Sequence, residues 1–146
     1  FTFTSNVSTA TGESTGQFSA MIDGVASSYW HTCYSGCAVA TNLPVELVID
    51  MKGSNAFKGV FLQNRQNNTY QSKVKILVST DNKNWTEMGT YTLATSTETA
   101  AQKNAVRELV FPKVVEAQYV KLVFPDKNLG NENHVALAEV GVFYDI

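Results

Sequence analysis

The sequence predicts an all-β domain, an antiparallel β-sandwich of jelly-roll type, and three observations predict it. Apolar residues recur with period two, turn signals separate the periodic segments, and no segment carries a sustained helical period. In PVELVIDM, Val45, Leu47, Ile49 and Met51 share one face, while Glu46 and Asp50 take the other. KVKILVST sets Val74, Ile76 and Val78 against Lys73 and Lys75, and YVKLVF and EVGVFY repeat the pattern late in the chain. Successive strand side chains point to opposite faces, so each segment reads as a half-buried strand of a sheet with one wet face. KGSN, STDNKN and PDKNLGN stand between them as turns. NVSTATGESTG reads as an irregular lead-in, ATSTETAAQKN (Ala94 to Asn104) as a loop, and one helical turn is expected near SAMID. Seven or eight strands without an internal repeat complete the sandwich.

At 146 residues the chain fits one domain, residues 1–146, with room for a proper core. Apolar residues make up 44% and charged residues only 16%, the gap being filled by Ser, Thr, Asn and Gln. That polar but uncharged surface suits an extracellular, cell-surface or periplasmic module. A net charge of -2 with scattered lysines argues against nucleic acid and against an anionic membrane as partners. No apolar run approaches the ~20 residues of a membrane-spanning helix. The chain opens on Phe1 rather than Met, which points to excision from a longer protein. Cys33 and Cys37, in CYSGC, leave a disulfide, a thiol pair and a metal half-site open, with no second cysteine pair to complete a zinc set.

The stretch MIDGVASSYWHT places an Asp-Gly turn shortly before Tyr-Trp-His. It is the first of four ordered segments; the others are LPVELVIDM with FKGVFLQNRQ, KVKILVSTDNKNW, and AQYVKLVF with VALAEVGVF. Together they span roughly Ala20 to Phe143. In this set and order the chain resembles the discoidin, or coagulation-factor C-type, family, which includes the family 32 carbohydrate-binding modules. The resemblance implies a galactose-binding-like jelly roll, the architecture that the periodicity predicts by itself.

Calcium takes about six to eight oxygen ligands, and an Asp-Gly turn suits it, because glycine lets the backbone curl beside the carboxylate. The resemblance implies a structural calcium held by the side chains of Asp23, Ser28 and Glu139 and the carbonyls of Ala20, Val25 and Ala138. Ser28 stands where threonine is common and Val25 where asparagine is common. On the residues alone, Asp23 reads as a turn residue and Glu139 as an exposed strand residue.

A sugar offers hydroxyls that suit forked donors and an apolar C–H face that suits an aromatic ring. The resemblance places ligand contacts at His31 and Arg65. Period two turns His31 away from Trp30, towards the loop surface, and Arg65 carries a rigid fork of donors at a strand end. Tyr34 and Tyr70 are candidate stacking platforms. Gln71 stands where relatives carry asparagine, and the last loop, NLGNENHV, offers Asn133 and His134 in place of an aromatic residue. Trp30 and Trp85 are expected in the core.

The resulting expectation is a non-catalytic carbohydrate-binding module for galactose-type or related glycans. It would tether a larger surface or secreted protein to a glycan or polysaccharide, with a catalytic domain, such as a glycoside hydrolase, possible in the parent chain. The alternative is a protein-interaction or architectural domain without sugar affinity. An enzyme is disfavoured: Asp23 and Glu139 sharing a calcium ion would both stay ionised, and no Ser-His-Asp set, phosphate-cradling glycine loop or nucleotide fingerprint occurs.

Overall fold

Seven strands are present in the computed structural model, which describes residues 1–10, 17–34, 37–38, 41–66 and 70–144. They are β1 (Thr2–Ser5), β2 (Trp30–His31), β3 (Val45–Asn64), β4 (Lys73–Ser79), β5 (Thr86–Thr92), β6 (Arg107–Phe124) and β7 (Ala136–Phe143). Every pairing is antiparallel, in the order β2-β7-β3-β6-β4-β5, with β1 on β3. The expected helical turn is present as a 3-10 turn over Phe18–Ile22. Part of the irregular lead-in, residues 11–16, lies outside the described residues.

β3 and β6 are long because each serves both layers of the sandwich. Residues 45–50 of β3 pair with residues 119–124 of β6, and residues 47–50 also with β1. Residues 59–64 of β3 pair instead with β7, and residues 59–62 also with residues 107–110 of β6. The register shifts between Asp50 and Asn55, where Lys52 adopts a left-handed φ of 63°. KGSN, expected as a turn between strands, is thus a corner inside one continuous strand. Such irregularities bend a strand and let it change sheets.

The core is what the alternation predicts. Val45, Leu47, Ile49, Val74, Ile76, Val120 and Leu122 are fully buried between the layers, joined by Trp30, Phe57 and Phe124. Phe18 stacks on Trp30 at 5.5 Å between ring centroids, so the 3-10 turn closes that end of the core. Trp85 departs from expectation. It is half-buried, with the Lys121 ammonium 4.4 Å from its ring centroid, a cation–π contact at the rim.

The segment expected as loop carries a short helix, α1 (Ala100–Asn104). A reciprocal cap starts it: the Thr99 hydroxyl accepts from the Gln102 amide at 3.2 Å, and the Gln102 side-chain oxygen accepts from the Thr99 amide at 2.9 Å. Thr-x-x-Gln is the pattern of such a box, and it is legible in ATSTETAAQKN. The Asn104 carbonyl then accepts from Gln63 and Gln66, tying α1 to the end of β3.

Candidate functional site

The Asp-Gly turn does bring distant oxygens together. Gly24, at φ 73°, reverses the chain after the 3-10 turn. One Asp23 oxygen then accepts from the Val25 amide at 2.8 Å, and the other accepts from the Ser28 hydroxyl. That hydroxyl also lies 3.0 Å from the Val25 carbonyl oxygen. Glu139, opposite Gln63 on β7, faces the same turn. The Ser28 hydroxyl and the Val25 amide hold the Asp23 carboxyl below its ordinary range. Burial first, and then the neighbouring Asp23, push the Glu139 carboxyl up, and the Val25 and Gly24 amides offset this in part.

Glu139 Oε1 is buried and has no hydrogen-bond partner. An orphaned carboxylate oxygen beside a second carboxyl suits a cation, which would relieve both the desolvation and the like-charge contact. The donors are oxygens: two carboxyls, the Ser28 hydroxyl and nearby peptide carbonyls. Among the described residues no three His, Cys, Asp or Glu side chains group as metal ligands. An all-oxygen set fits a hard cation such as calcium, which binds carbonyl and hydroxyl oxygens, rather than a softer metal. Ala20 is buried in the 3-10 turn and Ala138 is buried next to Glu139.

Around the same end of the sandwich runs a line of rings. Tyr29 and His31 flank Trp30, so alternation puts them on the side away from the core. The Arg65 guanidinium lies 3.8 Å above the Tyr29 ring centroid. Tyr29 meets His31 edge-on at 6.3 Å, and His31 meets Tyr34 at 5.3 Å and His134 at 5.6 Å. Tyr34 and His134 close the group at 6.0 Å. Arg65, His31, Tyr34 and His134, four residues singled out by sequence, thus converge from three separate segments. Tyr29 joins them.

Backbone bonds hold these segments in place. The Arg65 amide donates to the Ala136 carbonyl at 3.4 Å, and the Thr32 amide to the Val135 carbonyl at 2.9 Å. Cys33 and Cys37 are disulfide-bonded, closing a small loop that contains Tyr34. The Thr32 carbonyl accepts from His31 Nδ1 at 2.6 Å, which assigns that nitrogen the proton, since a carbonyl only accepts. His31 is more covered than expected, at 8% exposure, because Tyr34 and His134 lie against it. Tyr34 itself is 52% exposed.

Two expected contacts are corrected. Tyr70, proposed as a stacking platform, is 6% exposed, and its carbonyl accepts from the Leu129 amide at 2.9 Å. Gln71 is 1% exposed, and its side-chain amide donates to the His134 carbonyl at 3.2 Å. Both sit beneath the site and position the last loop. Sequence reasoning missed Asn128, which organises that loop. Its side-chain oxygen accepts from the Gly130 and Glu132 amides, and its nitrogen donates to the His134 carbonyl at 3.0 Å. It also passed over Tyr29, although the period-two pair Tyr29–His31 around Trp30 was a usable signal. Asn133 is half-buried, and His134 Nδ1 is buried without a hydrogen-bond partner.

Solved structures share this architecture. CpGH89CBM32-5 from Clostridium perfringens, in complex with GalNAc-β-1,3-galactose, aligns over 97% of this chain and 94% of its own, at 22% identity and a TM-score of 0.78. CBM32-3 from a family 31 glycoside hydrolase of the same organism aligns over 97% and 88%, at 25% identity and 0.76. The C-terminal domain of a chitobiase from Bacteroides fragilis aligns over 97% and 89%, at 28% identity and 0.74. Among curated proteins none matches the sequence. The family model of the F5/8 type C domain matches residues 2–140, and the chain belongs to that family.

Proposed function

We propose that this domain is a non-catalytic carbohydrate-binding module for galactose-type or related glycans. The observation that carries the reading is the convergence of an arginine fork and exposed ring surface at one end of a rigid sandwich. Tyr34 offers its ring to the C–H face of a sugar. Arg65, its guanidinium plane backed by Tyr29, presents edge donors to adjacent hydroxyls. The solved complex of CpGH89CBM32-5 with GalNAc-β-1,3-galactose supports this reading.

A calcium ion belongs to the same proposal, held by Asp23, Ser28 and Glu139 with the carbonyls of Ala20, Val25 and Ala138. Bound there, it would supply charge that pins the Asp23 loop to β7, next to the strand carrying His31. Two carboxylates engaged on a cation have no proton to give, so this pair would not serve as a glycosidase acid and base. The module tethers a larger secreted or surface protein to glycan, outside the reducing cytosol, a placement that the Cys33–Cys37 bridge supports. Single sites of few contacts bind weakly. A millimolar constant corresponds to about 4 kcal/mol, and tethering converts it into a raised local concentration of any linked domain.

Isothermal titration with galactose, N-acetylgalactosamine and a glycan array test the proposal. Saturable binding that Arg65→Ala weakens at least about tenfold supports it. No response across the array, with calcium supplied, would leave the domain as a protein-interaction or architectural module.

A further inference from the structure

Among the described residues, β5 pairs only with β4, and residues 107–117 of β6 pair only with β3. Each therefore keeps a free edge, and an open seam of the sandwich lies between the two. The Tyr91 hydroxyl ties the edges at one point, 2.8 Å from the Met88 carbonyl oxygen and 3.2 Å from that of Val110. Beside this tie the seam holds a hollow of about 330 Å³, lined among others by Val78, Thr86, Met88, Lys113, Val115 and Glu116. A second hollow of about 230 Å³ shares Val78, Thr86 and Glu116 and continues towards Ser79 and Asn84. From Asn55, opposite Ala117 at this cleft, β3 runs about 30 Å, at ~3.3 Å per residue, to Asn64 beside Arg65. The cleft is thus separate from the ring cluster.

Its chemistry has two sides. Val78 and Met88 are buried and Val115 is half-buried, forming an aliphatic floor. Thr86, Lys113 and Glu116 stand exposed at the rim. Neither charge has an ion-pair partner among the described residues, and the Ser54 hydroxyl, 3.1 Å from Glu116 Oε1, orients the carboxylate. A carboxylate has about four lone-pair sites and an ammonium carries several N–H donors, so both keep capacity for a ligand's hydroxyls through charge-assisted bonds. One positive and one negative side chain leave the lining without net charge, which fits a neutral ligand better than an ion. A hexose matches this arrangement: its C–H face suits the aliphatic floor and its hydroxyls suit the rim. The larger hollow is at the small end of ligand sites, which start at about 300 Å³, the scale of a single ring. From this cleft, and resting on the glycan-binding reading above, we infer that the domain carries a second saccharide site, for a neutral hexose unit, and so engages a polymeric glycan at two places.

Amide shifts in NMR titrations with the methyl glycosides of galactose, N-acetylgalactosamine, glucose and mannose test this directly. At least one of the four should move the amides of Val78, Thr86, Met88 and Val115 saturably, in the wild type and in Arg65→Ala alike. Joint Thr86→Val and Glu116→Ala, both at exposed positions, should remove these shifts, preserve the melting temperature and leave the response at His31 unchanged. On immobilised galactan or mannan, whichever carries the responding sugar, the wild type should bind at least about tenfold more tightly than either Arg65→Ala or the joint variant. A response at His31 without saturable shifts in the cleft, or cleft shifts that survive the joint variant, would overturn the inference and leave the module reading standing. Silence at both places with all four glycosides would bring both down together.

Discussion

Individual side chains on loops do much of the positioning in this domain. Asn128 is 5% exposed and satisfies two amides and one carbonyl of the last loop, at distances of 2.9 to 3.1 Å. Replacing it with alanine strands buried polar groups, so Asn128→Ala should lower stability by about 1–3 kcal/mol in denaturant titration and weaken sugar binding through His134. Asp81 plays the matching part in the STDNKN turn. The Asn84 amide and side chain, then the Lys83 amide and the Ser79 hydroxyl, hold its carboxyl far below the usual carboxylate range. A carboxyl whose folded pKa is depressed contributes stability above its unfolded value and loses it as the pH falls. Melting curves should therefore decline between about pH 4 and about pH 2, and Asp81→Asn should flatten that decline. At the site, Arg65→Ala should weaken sugar binding by at least about tenfold, leaving the melting temperature unchanged.

At the level of strands, β3 and β7 are joined by a reciprocal pair of aromatic rings over glycines. Gly59 faces Phe143 and Gly141 faces Phe61 in register. A Cβ on Gly59 would lie 2.2 Å from Phe143 Cζ and 2.5 Å from the Leu109 carbonyl oxygen, and one on Gly141 would lie 2.2 Å from Phe61 Cζ. Gly59→Ala and Gly141→Ala should each cost about 1–3 kcal/mol by overpacking, with Gly59→Ala the worse because backbone cannot swing aside. Strand positions were legible in the sequence because alternation is a local signal: Val45, Leu47 and Ile49 announce their face without reference to anything distant. The joining of KGSN into one strand was not, because a corner and a turn share the same residues and differ only in where the chain goes next. Likewise Arg65 and His31 stood out by chemistry and resemblance. Tyr70 and Gln71 went wrong because burial beneath a loop depends on how the last loop folds, and Asn128 governs that from more than fifty positions away.

For the molecule as a whole, the calcium proposal makes a thermodynamic demand. A ligand that binds only the folded state stabilises it by mass action, by about 2.7 kcal/mol at a hundredfold excess over its dissociation constant. Thermal melting should therefore rise with calcium and fall on chelation. Asp23→Asn with Glu139→Gln should abolish the response, and an unresponsive wild-type chain would refute the ion site. The sharing of β3 and β6 between the two layers has its own corollary for motion. Neither layer can peel from the other without tearing a strand it also owns, so slow amide exchange at Leu47 and at Leu62, on opposite sides of the corner, should report a single opening event with one common free energy.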